Sequence, residues 1–339
     1  MRDAYFKGRY FSSQLSCASF QTALENFQRA AIAAPNFALA YAGLASTYSR
    51  LAEFGCLPED EVIPKARAAA TRAISLDHDL AEAHTVLGTI SFLYDWDWAT
   101  AHSELRRATE LNPSDALTRA WYGAFLFSIG KSSEAFAELH KAKSIDPASG
   151  TATLIYAFTL YNSRRYDEAI EQFQKVISNY PDSTPAYFGM AVCYERKRMR
   201  SKALKNYLKA KELSGADPET VVTLRKASSN GGLQGFWRKE LEFTRTHPDT
   251  CWQTISAAHV GDKQQTLALL EQAYDERCSI LAWLKADPLY DRVRSEAQFQ
   301  ALMRRMALPG TASPDRLRKR ANSRRAAPNS RLIVPARSG

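Results

Sequence analysis

The sequence predicts an all-α protein built as a solenoid of antiparallel helix pairs, because one unit of 34 residues is repeated along its middle. Four alanines stand 34 residues apart: Ala101, Ala135, Ala169 and Ala203. Each is followed four residues later by a large apolar residue: Leu105, Leu139, Phe173 and Tyr207. The units end, in order, at Pro113, Pro147, Pro181 and Gly215. Units of this length cannot bury their apolar faces alone, and stacking them builds one continuous core.

The residue types of one unit explain why it would form two closely packed helices. A small alanine lets two antiparallel helices approach, and a large residue one turn later fills the groove beside it. Proline or glycine then ends the second helix before the next unit begins. Glycine is sparse in the chain of 339 residues, which suits helices. The length is therefore explained by added units rather than by several separate domains.

This order of alanine, large apolar residue and proline at a 34-residue period resembles the tetratricopeptide repeat (TPR). An earlier stretch carries another part of that motif, because Tyr41, Leu44 and Tyr48 match its aromatic, leucine and tyrosine places. Ala45 stands where the motif usually has glycine. The resemblance implies a right-handed superhelical solenoid that presents a binding surface rather than an active site.

The units can be placed in chain order from these matches. The first has helices near 4–11 and 23–35. The second begins near Tyr41 and has about nine extra residues before a helix that starts near Pro64. The third to sixth units follow the 34-residue period with short connections. We therefore expect six TPR-like helix pairs over residues 1–214.

After Gly215 the period weakens, but helices are still expected. They are predicted at 217–226, 236–246, 250–260 and 263–276, with a break at 228–232. The amphipathic stretch 282–308 is expected to be a terminal cap, because the last repeat must cover its apolar face. Residues 215–308 would thus form divergent helical repeats and a C-terminal cap. Residues 309–339, which are rich in Pro, Ser, Ala and Arg and have no periodicity, are expected to form a basic disordered tail.

Two segments inside the repeats allow more than one interpretation. The insertion in the second unit contains Glu59, Asp60 and Glu61, and it is either a surface excursion or a partner-binding loop. Residues 94–98 contain two tryptophans and two aspartates. They are either a cage for a sugar or cation, or a turn that the indoles staple and the aspartates cap. The glycines at 231–235 do not form a phosphate loop, because no strand precedes them and no GK[ST] follows.

No catalytic pattern is found, so the sequence predicts a protein that is not an enzyme and that has no cofactor. GxSxG, HExxH, the Walker loop and the kinase signature are missing. His84 and His102 fall in one unit, where they could either pack and hydrogen-bond or belong to a metal site. Without a third ligand in the pattern, no metal is assigned. No small-molecule substrate is evident, and no run of 18 apolar residues predicts a membrane span.

Cysteine usage and charge bear on location and partners. The five cysteines are odd in number and scattered, without a CxxC pair. This pattern predicts a reduced, cytoplasmic protein with neither a disulfide framework nor a zinc site. From Gly310 onward, eight basic residues stand against one acidic residue, so this tail contributes +7 to the formal net charge of +9. The rest of the chain is therefore close to neutral.

TPR proteins commonly bind an extended peptide or a helix in the concave groove that is lined by the first helix of each pair. Carried over to this chain, the resemblance implies a protein partner and a largely apolar groove. Its residues are Thr85, Thr89, Phe92, Ala120, Ala124, Phe127, Leu154, Phe158, Tyr161, Phe188, Val192 and Glu195. The lysine, asparagine and arginine that clamp acidic chaperone tails are missing, which argues against that kind of partner. Some of the aromatic residues could instead pack between helices.

A narrower resemblance concerns both ends of the chain. Four stretches resemble the TPR region behind the winged-helix domain of bacterial transcription regulators and of related signalling proteins. They are 4–11, 38–45, 94–98 and 283–308. In such proteins the repeats sense or recruit while an N-terminal module acts. This chain begins at the first repeat, so we expect a DNA-binding or kinase domain to have been lost or to be encoded separately.

Two functions are therefore predicted. The first is a protein–protein interaction scaffold, as the sensory or regulatory part of a bacterial transcriptional or signalling system. The second is non-specific association with nucleic acid through the tail, since several basic residues together give salt-sensitive affinity for phosphates. Its candidate residues are Arg316, Arg318, Lys319, Arg320, Arg324 and Arg325. A solvated disordered end is the alternative, because no aromatic residue is interleaved with the arginines.

Overall fold

The computed structural model describes residues 1–246 and 249–307, and within these ranges it contains helices and turns but no strand. The α-helices are α1 Arg2–Ser12, α2 Cys17–Ala33, α3 Ala38–Glu53, α4 Glu59–Leu76, α5 Ala81–Ile90, α6 Trp98–Leu111, α7 Ala116–Ser128, α8 Ser132–Ile145, α9 Gly150–Asn162, α10 Tyr166–Asn179, α11 Thr184–Arg196, α12 Arg200–Leu213, α13 Pro218–Thr246, α14 Thr250–Val260, α15 Lys263–Asp275 and α16 Ala297–Arg305. A π-helical turn at Ser91–Asp95 and two 3₁₀ turns, Ser279–Trp283 and Pro288–Tyr290, complete these elements. In the described ranges, no helix is long and apolar enough to cross a membrane.

The helices stack as antiparallel pairs in a right-handed superhelical solenoid, which confirms the predicted fold class. Consecutive helices from α1 to α12 form six pairs, and α14 and α15 form a further one. Between them, α13 is broken at Gly232, whose φ of 58° and ψ of −145° are not helical. The predicted break at 228–232 includes this residue.

The pairs are held together where a small residue of one helix faces a large residue of its neighbour. Phe27 of α2 lies between Gly8 of α1 and Gly43 of α3, and a Cβ added at Gly43 would lie 2.4 Å from its ring. A Cβ added at Gly189 of α11 would lie 2.2 Å from the ring of Phe173, which belongs to α10. Both rings are buried. The large residue that follows the repeated alanine therefore fills the space that a glycine leaves in the next helix.

The turn inside each regular pair requires a left-handed backbone. Residues at this position stand 34 apart in four successive units: Trp96 (φ 53°), Gly130 (φ 90°), Arg164 (φ 64°) and Arg198 (φ 60°). Each lies two residues before the second helix of its pair. Only one of them is glycine, the residue that adopts this conformation without steric cost. The left-handed conformation therefore recurs at a fixed position of each of these pairs, although the residue types at that position do not indicate it.

The aromatic segment between α5 and α6 is a stapled turn. Trp96 and Trp98 are buried. Their indole N–H groups donate to the carbonyl oxygens of Leu93 (3.1 Å) and Met306 (2.9 Å), respectively. Asp97 is the N-cap of α6. Because both rings are covered, the structure favours the interpretation as a turn over that as a ligand cage.

The prediction that the chain has no disulfide framework is wrong. Disulfides join Cys17 to Cys56 and Cys251 to Cys278, with Cα–Cα distances of 5.5 and 5.6 Å. Cys193 is a buried free thiol. The bonded cysteines are 39 and 27 residues apart, roughly one helix pair. Each bond joins the start of one helix to the turn that follows the next helix, because antiparallel packing brings these two points to the same edge of the stack. Disulfides persist in oxidising surroundings, so the cysteines no longer support a reduced compartment.

We expect a dithiol reductant to cleave the Cys17–Cys56 bond first. Cys17 is exposed and Cys56 is half-buried, whereas the second bond joins the half-buried Cys251 to Cys278, which is only 1% exposed, so a thiolate reaches the second bond less easily. Brief treatment with dithiothreitol, followed by alkylation and peptide mass spectrometry, gives the order of reduction. Earlier reduction of Cys251–Cys278 would contradict the burial described above.

Gly189→Ala should lower the free energy of unfolding by about 1 to 3 kcal/mol, because the new Cβ overlaps the buried ring of Phe173. The matched control is Gly231→Ala in α13, where nothing lies within 4 Å of an added Cβ. That control is expected to stabilise the protein slightly, by up to about 1 kcal/mol. Urea unfolding followed by circular dichroism measures both, and equal effects would refute this packing arrangement.

Candidate functional site

The residues predicted to line the concave groove lie on or just after the first helices of the third to sixth pairs, but little of their surface is exposed. The buried ones are Thr85, Thr89, Phe92, Ala120, Ala124, Leu154, Tyr161 and Val192. The half-buried ones are Phe127, Phe158, Phe188 and Glu195. What covers them decides what this surface can bind.

Two of the aromatic residues pack inside their own helix pairs. Phe127 contacts Phe136 of α8, with ring centroids 6.1 Å apart. Phe158 contacts Phe173 of α10, with centroids 4.9 Å apart. Both phenylalanines therefore hold the first helix of a pair against the second.

The chain's own residues 277–306, here called the closing segment, contact the C-terminal ends of the first helices of the third and fifth pairs. The ring of Trp283 lies 5.1 Å from that of Phe92, between centroids. The hydroxyl group of Tyr161 donates a hydrogen bond to the Asp287 carboxylate over 3.1 Å. These contacts lie at the C-terminal ends of α5 and α9. Two of the predicted groove residues are thus engaged by the protein itself.

Both ends of the closing segment are anchored to the early repeats. The guanidinium of Arg277 lies over the ring of Trp96, 4.7 Å from its centroid. The hydroxyl of Ser279 donates to the carboxylate of Glu59 at the start of α4, over 2.5 Å. At the other end, the carbonyl of Met306 accepts the indole hydrogen bond described above. The C-terminal part of the chain therefore contacts the second and third pairs. Glu59, one acidic residue of the insertion, is bonded within the chain.

Helix α14 covers the end of the concave surface formed by α11. The ring of Trp252 lies 5.3 Å from that of Phe188, between centroids. Nδ1 of His259 lies 3.1 Å from Oε1 of Glu195. The imidazole also stacks on Trp237, with ring centroids 3.9 Å apart. Two further groove residues are therefore occupied by the C-terminal part of the chain.

Electrostatics keep these polar contacts in place at neutral pH. Burial by itself would raise the pKa of Glu195, but His259 and the hydrogen bond donated by the Tyr207 hydroxyl (2.7 Å) outweigh it and lower the pKa to about 2. Burial and the nearby Asp287 carboxylate raise the pKa of Tyr161 well above its ordinary value. The carboxylate is therefore ionised and the phenol remains a hydrogen-bond donor.

Apolar burial makes the closing segment a permanent part of the core. Its large buried side chains are Leu281, Leu284, Leu289, Tyr290, Val293, Phe299, Leu302, Met303 and Met306. Burying one such side chain is worth about 1.5 to 3 kcal/mol, whereas a nanomolar partner supplies about 12 kcal/mol in total. The free energy that a nanomolar ligand supplies is therefore too small to displace the whole segment.

The first pair approaches the N-terminal ends of α9 and α5. Leu15 reaches the start of α9, where a Cβ added at Gly150 would lie 2.6 Å from Leu15 Cδ1. Arg9 forms an ion pair of 2.8 Å with Glu82, near the N-terminal end of α5. Local sequence patterns give no signal for these contacts, because each joins the first pair to a distant one.

The two histidines considered for a metal site have separate hydrogen-bond partners. Nδ1 of His84 lies 2.6 Å from Glu104, and this hydrogen bond raises the pKa of the imidazole. Nε2 of His102 lies 3.2 Å from the Tyr122 hydroxyl, and burial lowers the pKa of His102. Within the described ranges, no group of three or more His, Cys, Asp or Glu side chains could hold a metal ion. The structure therefore favours packing and hydrogen bonding for both histidines.

Sequence reasoning missed the closing segment as part of the concave surface. It predicted 282–308 as a cap on the last repeat, and α16 does contact α15. The available signal was the group of Trp283, Asp287 and Tyr290, whose aromatic and acidic side chains are unusual for a simple cap. The basic residues predicted to contact nucleic acid, 316–325, lie outside the described residues.

Glu195→Gln should destabilise the protein by about 2 kcal/mol at pH 7, because the folded state holds the pKa of the carboxyl below its unfolded value. That contribution is present above about pH 4.5 and is lost as the pH falls towards the folded pKa of about 2. The effect of the substitution should therefore shrink on acidification, as measured by urea unfolding at a series of pH values. Glu212→Gln, at an exposed ion pair, is the control and should cost less than about 1 kcal/mol. An effect of Glu195→Gln that does not change with pH would contradict this assignment.

A family model for the tetratricopeptide repeat matches residues 151–183. The chain is also similar to the transcriptional regulator HilA of Salmonella typhimurium, with 28% identity over 131 residues. The HilA protein of Salmonella typhi matches equally well. These matches cover 39% of this chain and 24% of the relatives, so the similarity spans about a quarter of their length.

The chain is similar to solved structures at low sequence identity. A structure of human IFIT1 with m7Gppp-AAAA has a TM-score of 0.54 and 13% identity, and the match covers 91% of this chain and 78% of that one. A structure of YrrB, described as a TPR protein with an unusual peptide-binding site, has 22% identity and a TM-score of 0.35, and the match covers 59% of this chain and 97% of that one. The repeat, the paired helices and the IFIT1 match show a solenoid of TPR-like helix pairs, and the family model identifies one tetratricopeptide repeat at residues 151–183.

Proposed function

We propose that this protein is an interaction scaffold that binds a peptide or helix of a protein partner on its concave surface. In this proposal the binding surface is composite: it consists of the predicted groove residues that are still half-buried and of the outward side of the closing segment. The protein would present this surface within a transcriptional or signalling pathway.

The observation that supports the proposal is that a segment of the chain itself, the closing segment, contacts two of the predicted groove residues. An aromatic contact between Phe92 and Trp283 and a hydrogen bond from Tyr161 to Asp287 secure it. Edge-to-face aromatic contacts and buried polar contacts of this kind also occur in peptide-binding grooves. The proposed surface therefore has side chains that suit peptide binding, and the closing segment occupies some of them.

Because the closing segment stays in place, a partner would add to it rather than replace it. Ile280 and Trp283 of the segment are half-buried, and so are Phe188 and Glu195 of α11. Ile280, Trp283 and Phe188 would supply apolar contacts, which suits an amphipathic helix or an extended peptide with apolar residues. The Glu195 carboxylate, by contrast, is already bonded to His259 and Tyr207.

A regulatory role is part of the proposal. The curated relatives are transcriptional regulators, and the match covers 24% of their length. We propose that this chain supplies the sensing or recruiting repeats of such a system, with DNA binding or phosphotransfer carried out by another domain or protein, and that it acts in the cytoplasm if its disulfides are stable there.

Site-specific photo-crosslinking tests the concave surface. We expect p-benzoylphenylalanine in place of Trp283 to capture a partner from the native cell extract, because this side chain is half-buried on the proposed surface. The matched control is the same substitution at Val222, which is 63% exposed on α13. Adducts are identified by mass spectrometry.

A specific adduct obtained at Trp283 but not at Val222 would support the proposal. Equal yields at both positions, or adducts at Val222 alone, would refute the proposal that the partner binds on the concave surface. Circular dichroism of both variants must first show the helical signal of the unmodified protein.

A second candidate function is non-specific nucleic-acid association, favoured by the charge of +7 that residues 310–339 carry. Phosphate contacts by clustered arginines would give affinity that falls steeply with salt. The chain ending at Leu308 should then lose a gel shift of duplex DNA that the full chain shows at low salt. Equal shifts for the two chains would show that the tail is not what binds the DNA.

A further inference from the structure

The first helix has an exposed aromatic stripe, whose two rings contact, within the part of the chain that the structure describes, the rings of their sequence neighbours Tyr5 and Phe11. Phe6 is 65% exposed and Tyr10 is 62% exposed. Arg2 precedes Phe6 by four residues and is also exposed, so these three side chains lie on one face of α1. Single exposed hydrophobic residues are ordinary, but adjacent aromatic rings on one helical face mark a contact surface.

The opposite face of α1 provides its packing within the solenoid. Gly8 faces Phe27 of α2. Tyr5 contacts Phe27 and Phe37, with ring centroids 5.8 and 5.2 Å apart. The stripe of Phe6 and Tyr10 is therefore not needed to hold α1 in the fold.

Other exposed apolar residues gather at the same end of the molecule. Ile32 is 80% exposed at the C-terminal end of α2, and Leu39 is 37% exposed at the N-terminal end of α3. Antiparallel packing brings these two helix ends next to the N-terminal end of α1, where Met1 is 48% exposed. The first pair thus presents an apolar area wider than the stripe itself.

The charges around the stripe are largely compensated within the chain. Lys7 forms an ion pair of 3.0 Å with Asp3, and Arg9 forms one of 2.8 Å with Glu82. The remaining side-chain charge of α1 is that of Arg2. A like surface can therefore approach without strong repulsion, provided that Arg2 finds a favourable neighbour.

We propose that the exposed face of α1 is a self-association surface that pairs with α1 of a second copy of this chain. An antiparallel arrangement centred on Phe6 places the two Phe6 rings together. Since Arg2 and Tyr10 are each four residues from Phe6, the same arrangement places each Arg2 guanidinium against Tyr10 of the other copy. The stripe is self-complementary: ring faces ring, and the one unbalanced cation faces an aromatic surface.

The size of the surface sets the strength of this association. Each aromatic side chain can bury about 150 to 250 Å², so two from each copy supply less area than the roughly 1,200 to 2,000 Å² of a stable interface. The apolar residues at the ends of α2 and α3 add to this area. The dimer should accordingly be weak and reversible, with a dissociation constant in the micromolar range or above, about −8 kcal/mol or weaker.

Sedimentation velocity of the full chain, at concentrations from about 5 to 500 µM around that dissociation constant, tests the proposal. The unmodified protein should shift from monomer to dimer as the concentration rises. Phe6→Arg with Tyr10→Arg should remain monomeric over the whole range, because the guanidinium groups at position 6 would face each other and those at position 10 would face Arg2 of the other copy. Arg2→Ala should weaken dimerisation about two- to fivefold, as expected for a lost cation–π contact.

The matched control is Ile145→Glu, at an apolar residue of α8 that is 38% exposed and far from the stripe along the chain. It should dimerise like the unmodified protein. Circular dichroism must show unchanged helical content for each variant. An unmodified protein that stays monomeric throughout, or a double variant that still dimerises, would overturn the proposal. Neither result would affect the photo-crosslinking test, which concerns another surface.

Discussion

The close approach of neighbouring helices is the constraint on which the rest of the structure depends. Phe27 and Phe173 are buried only because glycine in the facing helices leaves room for their rings. Where backbones come this close, the crossing of each pair is fixed by shape, and stacking one pair on the next generates the superhelix. The concave surface, and all that binds to it, is a consequence of that repeated contact.

The closing segment changes what a repeat architecture would otherwise imply. In an open solenoid each unit contacts only its neighbours. Here Trp283 and Asp287 contact the third and fifth pairs, and α14 contacts the sixth. Stability is therefore shared between distant units, which makes unfolding more cooperative than in an open array. Under the proposed function, a protein closed in this way would offer partners a fixed composite surface instead of an empty groove.

Much of the fold could be predicted from the sequence, because its repeating pattern is local and physical. The spacing of Ala101, Ala135 and Ala169 was enough to predict the paired helices and their order. The left-handed turn residues were not predictable, since Arg164 and Arg198 give no compositional signal. The disulfides were not predicted either, because their partners meet only after the units have stacked.

The candidate site was harder to predict than the fold for a related reason. Periodicity places Phe92 and Tyr161 on the correct helices, but it does not say which residues will cover them. Phe127 and Phe158 show the same limit, since a first-helix aromatic residue can face either the groove or the second helix of its own pair.

Hydrogen exchange of the intact chain tests the central claim that the closing segment is a permanent part of the core. Amides at 281–290 should be protected about as strongly as those of α5 and α7, because their release requires opening of the solenoid. Exchange of these amides at nearly unprotected rates would contradict it.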